Sequence, residues 1–226
     1  SDPATWSVAE LNHSNLAFRI CITGLLDSGI SFLNVYRSLS GEPVRTEQWP
    51  SSGGSRTGVI WAGAEASGKT VFYEGTTLRV LDDDFKVADE VQIDTGEPID
   101  IIYQAGSIWL AYPDRLVRSN NTFLSEGFTA WETVELPLGT TVTALTRLTG
   151  PSSTPHKLAL VILDGMTAKL HAMSLDGEIL LTWDAQGEEL VKGDVSLFTP
   201  AIGIRRILQT DGKGTLHIYR PRNVGI

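Results

Sequence analysis

The chain has 226 residues, 42% hydrophobic and 20% charged, the balance of a folded globular protein and not of a disordered one. Its formal net charge is −9 and its cationic residues are scattered apart from Arg205-Arg206 and Arg220/Arg222, which argues against nucleic acid as a partner, because phosphate contacts need clustered Lys and Arg. No apolar run approaches the roughly 20 residues that cross a bilayer as a helix, and a lone Cys21 excludes an internal disulfide and reads as a buried thiol.

Short strands follow one another along the whole chain. Residues 4–50 give TWSVAEL, AFRICITG, SFLNVYR and VRTEQWP. Residues 57–94 give GVIWAG, TVFYEG, TTLRVLD and VADEVQI; residues 98–137 give IDIIYQ, SIWLAY, DRLVRSN and AWETVELP. Residues 140–185 give TVTALTRL, KLALVILD, AKLHAMS and EILLTWD, and residues 195–226 give SLFTPAIG, RRILQTD and GTLHIYRP with no fourth strand. The second strand of each group is almost wholly apolar, as in a strand covered on both faces, whereas third and fourth strands alternate. Turn signals such as Asp27-Ser28-Gly29, Asp176-Gly177 and Asp211-Gly212 join them. The single helical signal is weak and lies at 186–192.

Every third strand carries an anchoring leucine: Leu33, Leu78, Leu116, Leu170 and Leu216, spaced by 45, 38, 54 and 46 residues. Four strands recurring at about this period are the unit of a β-propeller, where radial repetition hides sheet edges. SLDGEILLTWD resembles the third-to-fourth-strand hairpin of quinoprotein-like propellers. The run from Trp131 through Pro137-Leu138-Gly139-Thr140 resembles the blade junction of fungal fucose-binding lectins, and the size is similar to that of the five-bladed tachylectin type. The expected fold is all-β: one propeller domain over residues 1–226, of about five four-stranded blades, the last incomplete. Such a ring either closes on a three-stranded blade or is part of a larger propeller completed by another segment or chain. An unpaired strand at 216–220 is an open edge, and edges recruit partners.

Several motifs invite a chemical reading. Gly63-Ala-Glu-Ala-Ser-Gly68-Lys69-Thr70 fits the phosphate-binding pattern G-x-x-x-x-G-K-[ST]. That site needs a helix after the lysine, and VFYEGTTLRV reads as strand, so a hairpin loop is expected. His171 and His217 follow their anchoring leucines at equivalent positions, which marks a half-exposed strand face; no metal or cofactor motif is present. A propeller glycosidase needs two carboxylates facing one cleft, for which Asp82, Asp83, Asp84, Asp100, Asp114 and Asp164 are candidates. Two glycosylation sequons begin at Asn12 and Asn120 and leave the compartment open.

These features point to a non-catalytic binding platform with a protein partner, and its acidic balance favours a basic one. The loops at 50–57 and 149–156 and the acidic turn Asp82-Asp83-Asp84 are the expected contact points. A carbohydrate-binding propeller is the alternative, with Trp49, Trp131 and Trp183 as stacking platforms in fourth strands. A glycoside-acting enzyme is the second alternative.

Overall fold

The computed structural model describes residues 5–11, 19–36, 42–43, 45–51, 53–63, 68–93, 96–137, 139–148, 160–201 and 204–220. The loop at 149–156, His13, His156 and the Asn12 sequon lie outside the described residues, as does the side chain of Cys21.

The sequence groups become five antiparallel sheets. Sheet one holds β1 (Thr5–Leu11), β2 (Arg19–Leu26), β3 (Ile30–Tyr36) and β4 (Arg45–Pro50). Sheet two holds β5 (Thr57–Ala62), β6 (Lys69–Glu74), β7 (Thr77–Leu81) and β8 (Val87–Gln92). Sheet three holds β9 (Asp100–Gln104), β10 (Ser107–Ala111), β11 (Arg115–Ser119) and β12 (Trp131–Glu135). Sheet four holds β13 (Val142–Arg147), β14 (Leu160–Asp164), β15 (Lys169–Met173) and β16 (Ile179–Asp184); among the described residues sheet five holds three strands, β17 (Asp194–Ala201), β18 (Ile204–Thr210) and β19 (Leu216–Tyr219). In every sheet the spatial order is the chain order.

Strand six of the chain, β6, and β10 are buried along nearly their full length, as their unbroken apolar runs require, whereas β4 alternates between half-buried and exposed positions. Two local elements differ from the sequence expectation. The weak helix at 186–192 is a 3₁₀ turn at Leu190–Lys192 that buries Leu190, and a one-turn helix α1 (Phe123–Glu126) sits in the loop after β11. Its Phe123 is buried and stacks on Phe128, which stacks on Trp131, so burial of one ring holds a turn too short to show periodicity.

Between sheets the anchoring leucines do the packing. Leu33 meets Val59, Leu81 and Phe85 of sheet two. Leu78 shares a cluster with Ile101, Tyr103 and Leu110 of sheet three. Leu116 does so with Val142, Leu145 and Leu160 of sheet four, and Leu170 with Val195 and Ile207 of sheet five. All four are 0% exposed, and each contributes roughly 1.5–3 kcal/mol of transfer free energy. The first strands lie innermost and pack in succession, β1 on β5, β5 on β9, β9 on β13 and β13 on β17. Among the described residues β17 makes no comparable packing on β1.

Candidate functional site

The innermost strands of sheets two to five line a central cavity of about 630 Å³, whose wall includes Tyr73, Asp100, Arg147 and Asp194. Asp100 and Asp194 each begin the inner strand of their sheet and each turns one carboxylate oxygen onto the next backbone amide: Ile101 N–H donates to Asp100 Oδ1 and Val195 N–H to Asp194 Oδ1, both at 2.7 Å. The second oxygen of Asp100 crosses to the next sheet, where Leu145 N–H donates to Oδ2 at 2.8 Å. No donor meets the second oxygen of Asp194 among the described residues.

The titratable groups of the cavity wall are shifted mainly by desolvation. Burial, offset in part by the Leu145 amide, pushes Asp100 up to about 7, with the neighbouring charge of Asp194 adding to the rise. Burial likewise raises Asp194 and the Tyr73 phenol and lowers Arg147. Asp100 can therefore exchange a proton near neutral pH. Both of its oxygens are occupied by amides, so in this geometry it braces β9 against β13.

The sequence candidates lie on different sheets and do not converge. Trp49 on β4 stacks on Phe72 at 5.2 Å, with the Arg79 guanidinium 5.7 Å from its ring, in the interface of sheets one and two. The same interface encloses Glu74, 0% exposed: it accepts from Ser31 Oγ (3.2 Å) and Ser51 Oγ (2.5 Å) and pairs with Arg79 at 3.7 Å. This buried polar group had no sequence signal, since its partners come from three separate segments. Trp131 on β12 packs through Phe128 onto the core of sheets two and three, and Trp183 on β16 packs against that of sheets four and five. In the turn between β7 and β8, Asp82 Oδ1 accepts from the amides of Asp84 and Lys86, both at 2.9 Å, while the side chains of Asp83 and Asp84 are exposed.

Of the remaining motifs, Lys69 opens strand β6 and not a helix, as expected for a hairpin loop. Gly68 is there for closeness: a Cβ would lie 2.4 Å from the Trp61 ring. His171 Nδ1 lies 3.0 Å from Thr182 Oγ1 on the neighbouring strand, a cross-strand pair, and no trio of metal-ligating side chains occurs among the described residues. Asp114 is exposed beside Arg115, and Asp164 is buried and accepts from the amides of Met166 and Thr167 in the turn after β14. Asn120 brackets the α1 loop, donating from Nδ2 to Gly127 O and accepting from Thr129 N–H.

The least satisfied surface is the outer face of sheet five. Side chains alternate across a strand, and Val195, Ile207 and Tyr219 face sheet four. The opposite face carries the registered row Ser196, Leu208 and Ile218, flanked by Phe198 opposite Arg206 and Leu216 opposite Thr210. Here Leu216 is 53% exposed, Ile218 60% and Phe198 49%. Strand β19 is nevertheless firmly held: Tyr219 Oη donates to Gln209 Oε1 at 2.9 Å and accepts from the Gln186 amide at 3.0 Å, and Gln209 Nε2 donates to Gln186 O. Sequence reading missed this face because nothing in GTLHIYRP distinguishes a leucine with a covering sheet from one without.

No protein-family description matches the chain, and no curated protein matches it. Among solved structures it is similar to BBS1N, determined in complex with ARL6DN, at 14% identity and a TM-score of 0.59, covering 95% of this chain and 77% of that one. It is similar to the WD40 domain of Toxoplasma gondii coronin at 6% identity and a TM-score of 0.56, covering 97% and 60%. It is also similar to glutaminyl cyclase of Myxococcus xanthus at 12% identity and a TM-score of 0.53, covering 97% of each chain. At such identities the likeness is one of fold, and with five successive antiparallel sheets packed through their anchoring leucines the chain is a β-propeller whose fifth sheet has three strands.

Proposed function

We propose that the chain is a non-catalytic platform that binds a protein partner. The observation that carries this reading is the outer face of sheet five, where Phe198, Leu216 and Ile218 stand in water on an ordered strand frame; grouped apolar exposure on a folded surface marks an interaction site. BBS1N, a protein of the same fold, was determined bound to another protein, which supports the assignment. The net charge of −9 favours a basic partner, and the exposed carboxylates of Asp83 and Asp84 supply a local acidic point for it. The loop at 53–56 is a second fixed rim feature, because Glu97 accepts from Ser55 N–H at 2.7 Å and from the Arg56 amide at 2.5 Å.

The test is affinity capture by wild type and by the double variant Asp83→Asn/Asp84→Asn over a range of salt, alongside a glycan array. Retention of a polypeptide that weakens in the variant, with a shallower salt dependence, is the expected result. Saturable sugar binding lost on replacing Trp49, Trp131 or Trp183, with no polypeptide retained, would replace this reading with the carbohydrate one.

A further inference from the structure

The geometry points to the central cavity as the binding site of a small zwitterion, a molecule with an ammonium at one end and a carboxylate at the other. This goes beyond the platform reading and is independent of it. Three polar side chains of the cavity wall have no partner among the described residues. Arg147, at the end of β13, is half-buried, and no ion pair or hydrogen bond engages its guanidinium. Thr146 beside it is 7% exposed, and its hydroxyl makes no hydrogen bond. The Tyr73 phenol, in a residue 4% exposed, makes none either. Tyr73 belongs to β6 and reaches the cavity over β5, where Gly58 leaves the room: a Cβ there would lie 2.2 Å from the Tyr73 ring.

Charge decides the ligand class. An arginine keeps its proton in a protein, so the burial that lowers Arg147 leaves a cation short of hydration. Its forked N–H donors suit a carboxylate. A plain anion does not suit the whole cavity, because Asp100 and Asp194 line it too and the chain carries −9. A plain cation is repelled by Arg147. A zwitterion meets both conditions: its carboxylate accepts from Arg147 and from the Thr146 hydroxyl, and its ammonium lies toward Asp194, which is exposed at the cavity mouth. Burial raises the Tyr73 phenol and the charge of Asp100 adds to the rise, which puts the phenol oxygen at this same acidic end. The strand sets the two ends apart. Leu145 N–H donates to Asp100 Oδ2, and Arg147 stands two residues further along β13, roughly 7 Å away. The two charges of the ligand are accordingly separated by several carbons, and a cavity of about 630 Å³ is of the size that holds such molecules.

Isothermal titration calorimetry of the intact chain tests this, with glycine, γ-aminobutyrate and ε-aminocaproate as probes and hexylamine and hexanoate as one-charge analogues of the last. One saturable site for ε-aminocaproate is expected. Glycine, hexylamine and hexanoate should each bind about tenfold more weakly or worse, the loss of one charge-assisted contact. Arg147→Met should weaken ε-aminocaproate by a similar factor but not hexylamine. Tyr73→Phe, which keeps the ring, should weaken it several-fold, and Asp84→Asn, outside the cavity, should leave it unchanged. If the urea midpoint shows that Arg147→Met does not fold, Arg147→Lys, which keeps the charge and loses the fork, carries the same comparison. No saturable heat with ε-aminocaproate, equal binding of hexanoate or hexylamine, or affinities indifferent to substitution at Arg147 and Tyr73 overturn the inference. None of these outcomes bears on the polypeptide capture that tests the platform reading.

Discussion

Asp100 shows how a single side chain can be set by its neighbours and not by its own chemistry. Its carboxyl, near 4 in an unfolded chain, is pushed up to about 7 because burial in the cavity wall outweighs the two amides it accepts from. A carboxyl that holds its proton more tightly when folded contributes stability fully present below about pH 4 and lost as pH rises through about 7. In urea unfolding, the midpoint of the wild type relative to Asp100→Asn should therefore fall between about pH 5 and about pH 8. A parallel pH course for the two proteins would remove Asp100 as the titrating group. The sequence offered Asp100 as one of several carboxylates but gave no sign of its setting. Asp194, its counterpart in sheet five, was not among those candidates, although both stand at the start of an inner strand. Their equivalence becomes visible only when the register of β9 and β17 is known.

At the level of elements, one turn design recurs. Asp82 accepts from the amides two and four residues on, Ser174 does the same with Asp176 and Glu178, and Asp211 with Lys213 and Thr215. A short polar side chain that satisfies two otherwise idle amides fixes where one strand stops and the next begins. These hairpins were readable from Asp-Gly and Asp-rich signals, and so the strand boundaries fell close to their observed places. The one-turn helix α1 was not readable, since its hold is the ring stack of Phe123, Phe128 and Trp131 and not a pattern along the chain. The turn design also divides the acidic triplet. Asp82→Ala should lower unfolding stability by about 1.5–3 kcal/mol, the range for hydrogen bonds to a charged group, while Asp84→Asn should stay within about 0.5 kcal/mol of wild type. Denaturant midpoints decide it, and equal effects at the two positions would refute the division of labour. Any change in partner binding is then cleaner to interpret at 84 than at 82.

For the molecule as a whole, the interfaces between sheets are the seat of stability. Leu110, Leu163 and Val71 of the second strands are 0% exposed, whereas β19 has one covered face and, among the described residues, no strand beyond it. Amide hydrogen exchange should accordingly be slowest along β6, β10 and β14 and markedly faster along β19, despite the bonds from Tyr219 that hold it. Uniform protection across all five sheets would contradict this gradient. The all-β repeat was legible because the anchoring leucine is a local signal repeated five times and the apolar second strand one repeated in the first four sheets. The unequal burial of Leu216 was not, because covering a side chain is a matter of what lies next to it in space, and Leu216-His217 reads like the covered Leu170-His171.

The chain-order arrangement of the strands within every sheet bears on how the protein is made. Hairpin closures join residues close in sequence, so loop-closure cost is small and pairing is fast. Each sheet can be finished as soon as its strands have left the ribosome, with nothing required from further downstream. Its leucine, however, stays wet until the sheet after it is translated: Leu33 waits for residues around Val59, Leu78 for those around Ile101, and Leu170 for Val195. During synthesis the sticky spot thus travels toward the C-terminus one sheet at a time, so that a chaperone attending this protein meets a single moving apolar front instead of several at once.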